Sequence, residues 1–392
     1  MSEQAIFTRR EFDRRLSRVR TAMEAEQVDA IVVSDPNNIY YLTGYSGISH
    51  YVPQGLLVSA NDIAFLTREM DMLGVRMTSW LPDEAVLGYG DDTLLSVEHT
   101  PWHVMADMLR KRGLAAARIG FDKSSTFISP TEWGLIENVL PDARLKDTRL
   151  LINWVRAVKS DAEIACMRES AQISDAALQD AADMIAPSVR ECDLAGKITQ
   201  RLVSGTANFG GGMAYPPMMP SGQKTSTPHL MWTDELYEPG TQVNIEVGGV
   251  RNWYVSPASR SIKLGKPSEK LSELEAVTVD GMEAVLAKAA PGVLCEEIEQ
   301  TFRAITSKAG YEKKSRIGYA VGLGFLPPGW IELTSSFAPG DRTELKPGMT
   351  YHLMLGMWFP EDSFVLSETF VVTEKGCESL CNMPRKLIVK DC

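Results

Sequence analysis

Cysteine and histidine side chains, which could bind a soft metal ion or act in nucleophilic catalysis, are few and scattered in this sequence. The six cysteines include no CxxC pair, and none lies with a histidine at a spacing typical of a zinc site. A catalytic cysteine would need a histidine to activate it, and the chain has only five histidines. Free thiols are therefore expected at Cys166, Cys192, Cys295, Cys377, Cys381 and Cys392.

Two histidines lie in segments that could hold them in a site. His229 occurs in STPHLMWTD, where it could transfer protons as a general acid–base, but a lone histidine could equally cap a strand or bond a carbonyl group. His352 shares a predicted strand with Met354, and side chains two residues apart on a strand point to the same face.

The overall composition limits the class of function. The chain has 392 residues, of which 44% are hydrophobic and 23% charged, as in ordinary globular proteins. A net charge of −11 argues against nucleic acid as a partner, because phosphate binding requires a basic surface. Neither a membrane-spanning run nor a secretory signal is visible, so we expect a cytoplasmic protein without a membrane partner.

The pattern of elements predicts two domains. Up to about residue 150, helical and strand patterns alternate, as in AIVVS and RIGFD, which is typical of an α/β domain. A turn is expected at 35–38, where Asp-Pro-Asn-Asn follows the first strand. Beyond it, long helices begin at a capping box formed by Ser160 and Glu163, and the strand 241–250 is expected to enter a glycine bend. Helices on an antiparallel sheet make this second part α+β.

Several segments together resemble a known fold. NWVRAVKS, the strand NIEVGG, GYAVGLG and PGMTYHLMLGMW occur in the order found in the pita-bread fold of methionine aminopeptidases, prolidases and creatinase. The resemblance covers the whole chain. It implies a creatinase-like N-terminal domain at 1–152 and a pita-bread catalytic domain at 153–392.

The resemblance also implies where two metal ions are bound in the peptidases of this superfamily. Their five ligand positions fall on Glu246, Pro257, Tyr319, Met354 and Glu368. Proline has no side-chain donor, methionine offers only a soft thioether and a neutral phenol ligates poorly, so a dinuclear cluster of hard cations is not expected. The chain is therefore predicted to use no metal or other cofactor.

Glu246 and Glu368 are then expected to face a pocket that once held cations. Either they are inert relics held by hydrogen bonds, or they bind an organic cation, because a buried charge is costly unless it is paired. Creatinase, which binds a guanidinium with acidic residues and a histidine, is a precedent in the superfamily.

A closer resemblance is to ectoine hydrolases. It rests on LTGY with YVPQGLLV, REMD, PSGQKTSTPHLMWTD, SRIGYAVGLGF and SETFVVTE. The resemblance implies hydrolysis of a cyclic amidine to N-acetylated 2,4-diaminobutyrate, a homodimer, and a separate deacetylase that acts on the product. Ser46, Ile48 and Pro53 depart from the pattern, which leaves 5-hydroxyectoine or another zwitterionic solute open as the substrate.

The resemblance assigns roles to individual residues. Glu246 is expected to attack the amidinium carbon or to activate water, with His229 as general acid–base. His50 is a further possibility, because this region reaches the partner's active site in creatinase-like dimers. The expected substrate-binding residues are Tyr319, His352, Glu368, Tyr45, Tyr51, Arg68, Ser221, Thr227, Trp330 and Trp358.

Three alternatives remain open from the sequence. One is a creatinase-like hydrolase or lyase that acts on another small osmolyte. A metal-dependent proline peptidase would require the three lost ligand positions. Metal-free pita-bread domains also bind other proteins in histone chaperones, but such proteins usually carry a charged tail, which this chain lacks.

Overall fold

The computed structural model describes residues 7–325 and 329–392. The chain divides into two compact units, with the boundary between Arg156 and Ala157. In the described part, no helix combines the length and the apolar character that crossing a membrane requires.

The first unit is an α/β domain built on a six-stranded mixed sheet. The strands lie in the order β4-β3-β2-β1-β5-β6; β1, β2 and β3 are antiparallel neighbours, and the remaining pairs are parallel. The strands are β1 Ala30–Val33, β2 Gly55–Ser59, β3 Ile63–Arg68, β4 Val86–Tyr89, β5 Arg118–Phe121 and β6 Arg144–Asp147. The helices are α1 Arg9–Ala25, α2 Pro36–Thr43, α3 Met72–Thr78, α4 Asp92–Leu95, α5 Pro101–Lys111, α6 Pro130–Val139 and α7 Leu151–Ala157, whose last residue begins the second unit.

The turn expected at 35–38 is instead the start of helix α2. The Asp35 side chain caps the helix by accepting from the Asn38 N–H at 2.9 Å, and Pro36 occupies its first turn. Proline is well suited to this position because its fixed φ is helical and its missing N–H would be unpaired there anyway. Gly44, in a left-handed conformation with φ of 82°, ends the helix.

The second unit carries its helices on one face of a larger sheet. Strands β10-β9-β11-β12-β8-β14 form its main path; β7 pairs with β8, and β13 pairs with β12. The strands are β7 Gln242–Arg251, β8 Tyr254–Leu264, β9 Gly318–Val321, β10 Ile331–Phe337, β11 Thr350–Trp358, β12 Ser363–Val372, β13 Cys377–Ser379 and β14 Ile388–Lys390. The helices are α8 Asp161–Met184, α9 Glu191–Ser204, α10 Glu269–Lys288 and α11 Cys295–Lys308.

The helices cover the odd-numbered residues of β7 and β11. Val243 and Ile245 of β7 pack in one apolar cluster with residues of α8 and α9. Tyr351 and Leu353 of β11 pack in a second cluster with residues of α10 and α11. Because side chains alternate along a strand, the even-numbered residues of these two strands point to the opposite, helix-free face. The Ser160–Glu163 capping box predicted at the start of α8 is confirmed.

The glycine bend expected near residue 248 is wrong. Strand β7 continues through Gly248 and Gly249, and the chain turns at Asn252 and Trp253, which have φ of 50° and 63°. A Cβ on Gly249 would lie 2.2 Å from the Ser170 carbonyl oxygen of α8. The glycine is therefore required for close helix–sheet packing rather than for a bend.

Candidate functional site

The helix-free face of the second unit carries a row of four paired residues across four strands, three of them polar. Glu246 of β7 lies opposite Ser259 of β8. Ser259 lies opposite Ser367 of β12, and Ser367 lies opposite Met354 of β11. Directly paired residues in an antiparallel sheet share a face, so all four side chains point to the same side.

Glu246 is the unpaired acid of this face. Its backbone pairs with Met218, but its carboxyl group makes no hydrogen bond or ion pair with the described residues. Desolvation by the surrounding protein raises the pKa of Glu246 to about 8. The adjoining cavity, about 20 Å³ in volume, is large enough for a single water molecule. It is lined by Met218, Pro220, Pro228, His229, Asn244, Ile245, Glu246, Trp358 and Val365.

His229 reaches this cavity from an exposed loop. Its backbone is left-handed, with φ of 67°, which is uncommon for a residue with a side chain. Both ends of the loop are tied to Glu191 of α9, which accepts from the Ser221 hydroxyl and from the Thr233 backbone N–H at 2.6 Å. The Ser221 hydroxyl is thus engaged with Glu191, whereas Thr227 is exposed on the same loop.

Tyr319, His352 and Trp330 form a hydrogen-bonded group on the same face. Tyr319 lies opposite His352 in the sheet, and its hydroxyl oxygen is 3.0 Å from Nδ1 of His352. The indole N–H of Trp330 donates to the same oxygen at 3.2 Å. The other nitrogen of His352 is 2.7 Å from the hydroxyl of Ser367. His352 is fully buried, and this burial lowers its pKa to about 3, so its ring is neutral.

The expectation that Glu368 faces the pocket is wrong. Glu368 lies opposite Leu353, between Leu366 and Phe370, which pack in the helix-covered core. Its carboxylate accepts from Arg260 at 2.9 Å, from Arg385 at 2.9 Å and from Ser379 at 2.7 Å. The neighbouring Ser367 occupies the pocket-facing position. A shift of one residue in the assignment moves a strand side chain to the opposite face.

Trp358 forms one wall of the cavity and has a buried cation beside its ring. The Lys313 ammonium lies 4.7 Å from the Trp358 ring centroid and donates to the Gly356 carbonyl at 2.6 Å. Burial lowers the pKa of Lys313 to about 7. A Cβ on Gly356 would lie 2.2 Å from the Trp358 ring, so the glycine allows the indole to lie over the strand.

Comparison with known proteins identifies the family. Residues 165–374 match the model of metallopeptidase family M24, and residues 15–158 match the creatinase/prolidase N-terminal domain. The chain belongs to family M24. An ectoine hydrolase of Halomonas elongata is 34% identical over 98% of both chains. An uncharacterized hydrolase/peptidase of Sinorhizobium fredii is 38% identical, again over 98% of both.

The fold of this M24 chain is also that of solved dipeptidases. The dipeptidase PepE of Mycobacterium ulcerans superposes with a TM-score of 0.84, at 20% identity, over 98% of this chain and all of that one. The α/β N-terminal domain and the α+β pita-bread domain predicted from the sequence are therefore confirmed.

The donor set of this M24 chain does not fit a pair of hard metal ions. Glu246 and Tyr319 supply one carboxylate and one phenol, Pro257 and Met354 supply no oxygen, and Ser367 replaces a carboxylate where the β12 strand faces the site. Within residues 7–325 and 329–392, no group of three or more His, Cys, Asp or Glu side chains could hold a metal ion. Hard cations require several converging oxygen donors.

Three predicted substrate-binding residues belong to the first unit. Tyr45 is buried there and bonds the Ser49 hydroxyl at 3.0 Å. Tyr51 is 69% exposed, and Arg68 donates to its hydroxyl at 3.3 Å while it pairs with Asp91. His50, in the same unit, packs its ring against Phe127.

Sequence reasoning missed four residues of the site: Ser259, Ser367, Glu191 and Lys313. Ser367 could have been found from strand periodicity. The apolar Leu366 and Phe370 mark the core face of this strand, so Ser367 has to point to the opposite face. The other three carry no local signal, since their partners come from distant parts of the chain.

Proposed function

We propose that this protein is a metal-independent hydrolase that opens the cyclic amidine ring of ectoine, or of 5-hydroxyectoine, to N-acetylated 2,4-diaminobutyrate. The observation that carries the proposal is the unpaired carboxyl group of Glu246 in a cavity with His229 and Trp358. The ectoine hydrolase relative, at 34% identity over nearly the full length of both chains, supplies the substrate class.

Electrostatics favour an organic cation beside Glu246. The Glu246 carboxyl group is held out of water without a partner, which raises its pKa to about 8, so it keeps its proton at neutral pH. An amidinium ion is planar and delocalised, and its N–H groups can donate to a carboxylate, so its binding would restore the ionised form of Glu246. The Trp358 indole in the cavity wall would supply a flat surface for such a cation once the exposed His229 loop moves outward, because the cavity in its present form holds a single water molecule.

The reaction requires a nucleophile and a proton shuttle. Glu246 would either attack the amidinium carbon itself or take a proton from a water molecule that attacks it. His229 would then deliver a proton to the ring nitrogen as the C–N bond breaks. In both routes one water molecule is consumed: its oxygen becomes the amide oxygen, and the departing nitrogen gains two hydrogens and leaves as an ammonium group. A covalent adduct on Glu246, detected by mass spectrometry of quenched enzyme, would identify the first route.

The ligand carboxylate requires donors and the site requires walls. Thr227 on the His229 loop and Trp330 over Gly248 are the groups of the second unit that we assign to these tasks. We propose that Tyr51 and Arg68 complete the site from the partner protomer of a homodimer. Tyr45 is buried and bonded to Ser49 in its own unit, so it is not available for this role. A separate deacetylase would then remove the acetyl group from the product.

The direct test is incubation of the purified protein with ectoine, 5-hydroxyectoine and creatine, followed by NMR. We expect the ring carbon signal of ectoine or hydroxyectoine to be replaced by that of an acetamide, and creatine to remain intact. Ligand at a hundredfold excess over its dissociation constant should also add about 2.7 kcal/mol to the free energy of unfolding. If none of the three compounds is turned over and none stabilises the protein, the proposal is contradicted and a protein-binding role is favoured.

Metal independence has its own test. Overnight dialysis against EDTA should leave ectoine turnover unchanged, and added Mn²⁺, Zn²⁺ or Co²⁺ should not increase it. A prolidase treated in parallel serves as the control that the chelation is effective. Loss of activity with EDTA and recovery with one of the ions, together with stoichiometric metal in the purified protein, would overturn this part of the proposal.

A further inference from the structure

Both ring nitrogens of His352 are occupied by groups of the protein itself. Nδ1 is 3.0 Å from the Tyr319 hydroxyl, Nε2 is 2.7 Å from the Ser367 hydroxyl, and the ring is fully buried. His352 therefore has no nitrogen left with which to bind a ligand. Given the proposed amidine hydrolysis, on which this inference rests, we infer that His352 and Ser367 are positioning residues that direct the Tyr319 hydroxyl proton toward the ligand at Glu246.

The direction of the hydrogen bonds follows from counting protons. A neutral imidazole carries one N–H, so one ring nitrogen donates and the other accepts. If Nε2 donated to Ser367, the proton of this fully buried serine would have no acceptor among the residues that the structure describes. A buried, unsatisfied hydroxyl is unfavourable. The opposite arrangement, in which Ser367 donates to Nε2 and Nδ1–H donates to Tyr319, leaves only the proton of Tyr319 unpaired, and Tyr319 is partly exposed whereas Ser367 is fully buried.

Tyr319 then has only its own proton to offer. Its oxygen accepts N–H groups from His352 and from Trp330, so the hydroxyl proton has to point away from both. Burial, together with the nearby carboxylate of Glu246, raises the pKa of Tyr319, so the phenol remains protonated at neutral pH. Tyr319 is therefore a permanent hydrogen-bond donor.

The donor lies beside the acid of the site. The Trp330 indole, whose N–H donates to Tyr319, packs against Gly248: a Cβ on this glycine would lie 2.7 Å from the Trp330 ring. Gly248 is two residues from Glu246 on β7 and shares its face. Trp330 thus contacts both the Tyr319 hydroxyl and the Glu246 strand, and Tyr319 is near enough to Glu246 for the carboxylate to raise the tyrosine pKa, so a ligand at Glu246 lies in the neighbourhood of Tyr319.

The chemistry of an amidine gives this donor a specific use. In the amidinium ion the nitrogen lone pairs are delocalised, and its nitrogens donate hydrogen bonds rather than accept them. When the central carbon becomes tetrahedral, a nitrogen gains a localised lone pair that can accept a hydrogen bond. The Tyr319 hydroxyl would donate to that nitrogen only after attack, so it would stabilise the transition state more than the bound substrate.

The test is a mutant cycle with ectoine as the substrate. Tyr319→Phe should lower kcat about 100-fold with KM within about threefold, as expected for a lost transition-state donor. Ser367→Ala should lower kcat about tenfold, because the imidazole loses the partner that holds its tautomer, and Ser367→Thr should restore most of it. Ser335→Ala is the matched control: Ser335 is a buried serine of the same sheet whose hydroxyl is 2.9 Å from that of Tyr351 in the helix-covered core, and its loss should change kcat less than twofold.

The decisive variant is the double substitution Tyr319→Phe/Ser367→Ala. If Ser367 acts through Tyr319, removing it from the Tyr319→Phe protein should change kcat less than twofold. A further tenfold loss in that background, or a Ser335→Ala effect as large as that of Ser367→Ala, would mean that Ser367 has only a structural role and would overturn the inference.

A second measurement does not depend on any substrate. The ¹⁵N signals of the His352 ring should show a neutral imidazole protonated on Nδ1 in the ligand-free protein. A proton on Nε2 would overturn the inference even if ectoine is turned over. If the wild type opens neither ectoine nor hydroxyectoine, the proposed function fails, and the Nδ1–H tautomer is still confirmed or contradicted by this spectrum.

Discussion

Glu246 and Glu368 lie in the same sheet, and both are largely removed from water, yet their surroundings are opposite. Glu368, 1% exposed, is on the helix-covered face and is neutralised by Arg260 and Arg385. Glu246 is on the helix-free face, and no described residue pairs with its carboxyl group. One acid is an internal ion pair, and the other lacks the partner that its burial requires.

The difference shows why burial alone does not identify a functional acid. Removing a carboxylate from water is unfavourable in both places, but at Glu368 hydrogen bonds and two guanidinium groups offset it. At Glu246 no partner offsets the desolvation, which therefore raises the pKa to about 8, so the carboxyl group keeps its proton at neutral pH. A buried acid of this kind, which lacks a partner, favours the binding of a cationic ligand.

The largest expected effect is on turnover after Glu246→Gln. The substitution removes the base or nucleophile but keeps the side-chain size, so kcat on ectoine should fall by more than about 1,000-fold. Because folding at pH 7 forces Glu246 to take up a proton that the unfolded chain has released, the neutral amide should raise the free energy of unfolding at this pH, by on the order of 3 kcal/mol. Steady-state kinetics and denaturant unfolding measure the two quantities. Turnover near the wild-type level would remove Glu246 from the reaction.

Glu368→Gln should show the reverse pattern. It leaves the buried Arg260 without its carboxylate and the part-exposed Arg385 with only Glu283, and breaking a buried pair costs about 3–5 kcal/mol in the free energy of unfolding. The measurement is denaturant unfolding of the folded variant, whose kcat should remain within a few-fold of the wild type.

The control for this substitution is Glu378→Gln. Glu378 pairs with Arg168 at the surface, where solvent screens the interaction, so the loss should stay below about 1 kcal/mol. Equal destabilisation by the two variants would contradict the contrast between buried and exposed pairs.

The raised pKa of Glu246 also predicts a pH dependence. Between its ordinary pKa of 4.5 and about 8, the folded protein holds a proton that the unfolded chain has released, so the contribution to stability falls as the pH rises through this range. The Glu246→Gln variant has no carboxyl group at this position, so it lacks this pH-dependent contribution to stability. The stability of the variant relative to the wild type should therefore increase from pH 4.5 to pH 8, by on the order of 3 kcal/mol. A difference that is independent of pH would mean that the Glu246 carboxyl group is not desolvated in solution.

The smallest expected effect comes from a third glutamate that has partners. Although burial opposes it, hydrogen bonds from Ser221 and Thr233 lower the pKa of Glu191, and these bonds hold both ends of the His229 loop. Glu191→Gln should reduce kcat/KM about five- to tenfold by loosening the loop. Limited proteolysis within residues 222–232 should accelerate. Lys224→Met, which removes a more distant and weaker partner of Glu191, is the control and should have little effect on either measurement.

Much of the fold could be predicted because its signals are local. The buried stripe of Phe12, Leu16, Val19 and Met23 in α1 follows the helical period. The two strands that flank residues 360–362 alternate as a hairpin should, and they pair along their whole length. The sequence does not distinguish a turn from a helix at Pro36, because Asp-Pro-Asn-Asn is equally typical of a turn and of a helix start.

By itself, the sequence determined the element types, the two-domain architecture and the presence of one acid at Glu246, since these depend on periodicity, caps and ordered motifs. Only the tertiary structure decided that Glu368 is an ion-pair residue rather than a pocket residue, and that His352 bonds Tyr319 rather than facing the cavity. The physical reason is that strand side chains alternate every residue, while partners such as Arg385 or Ser367 come from other strands and loops. Which face and which partner a side chain receives is a property of the assembled sheet.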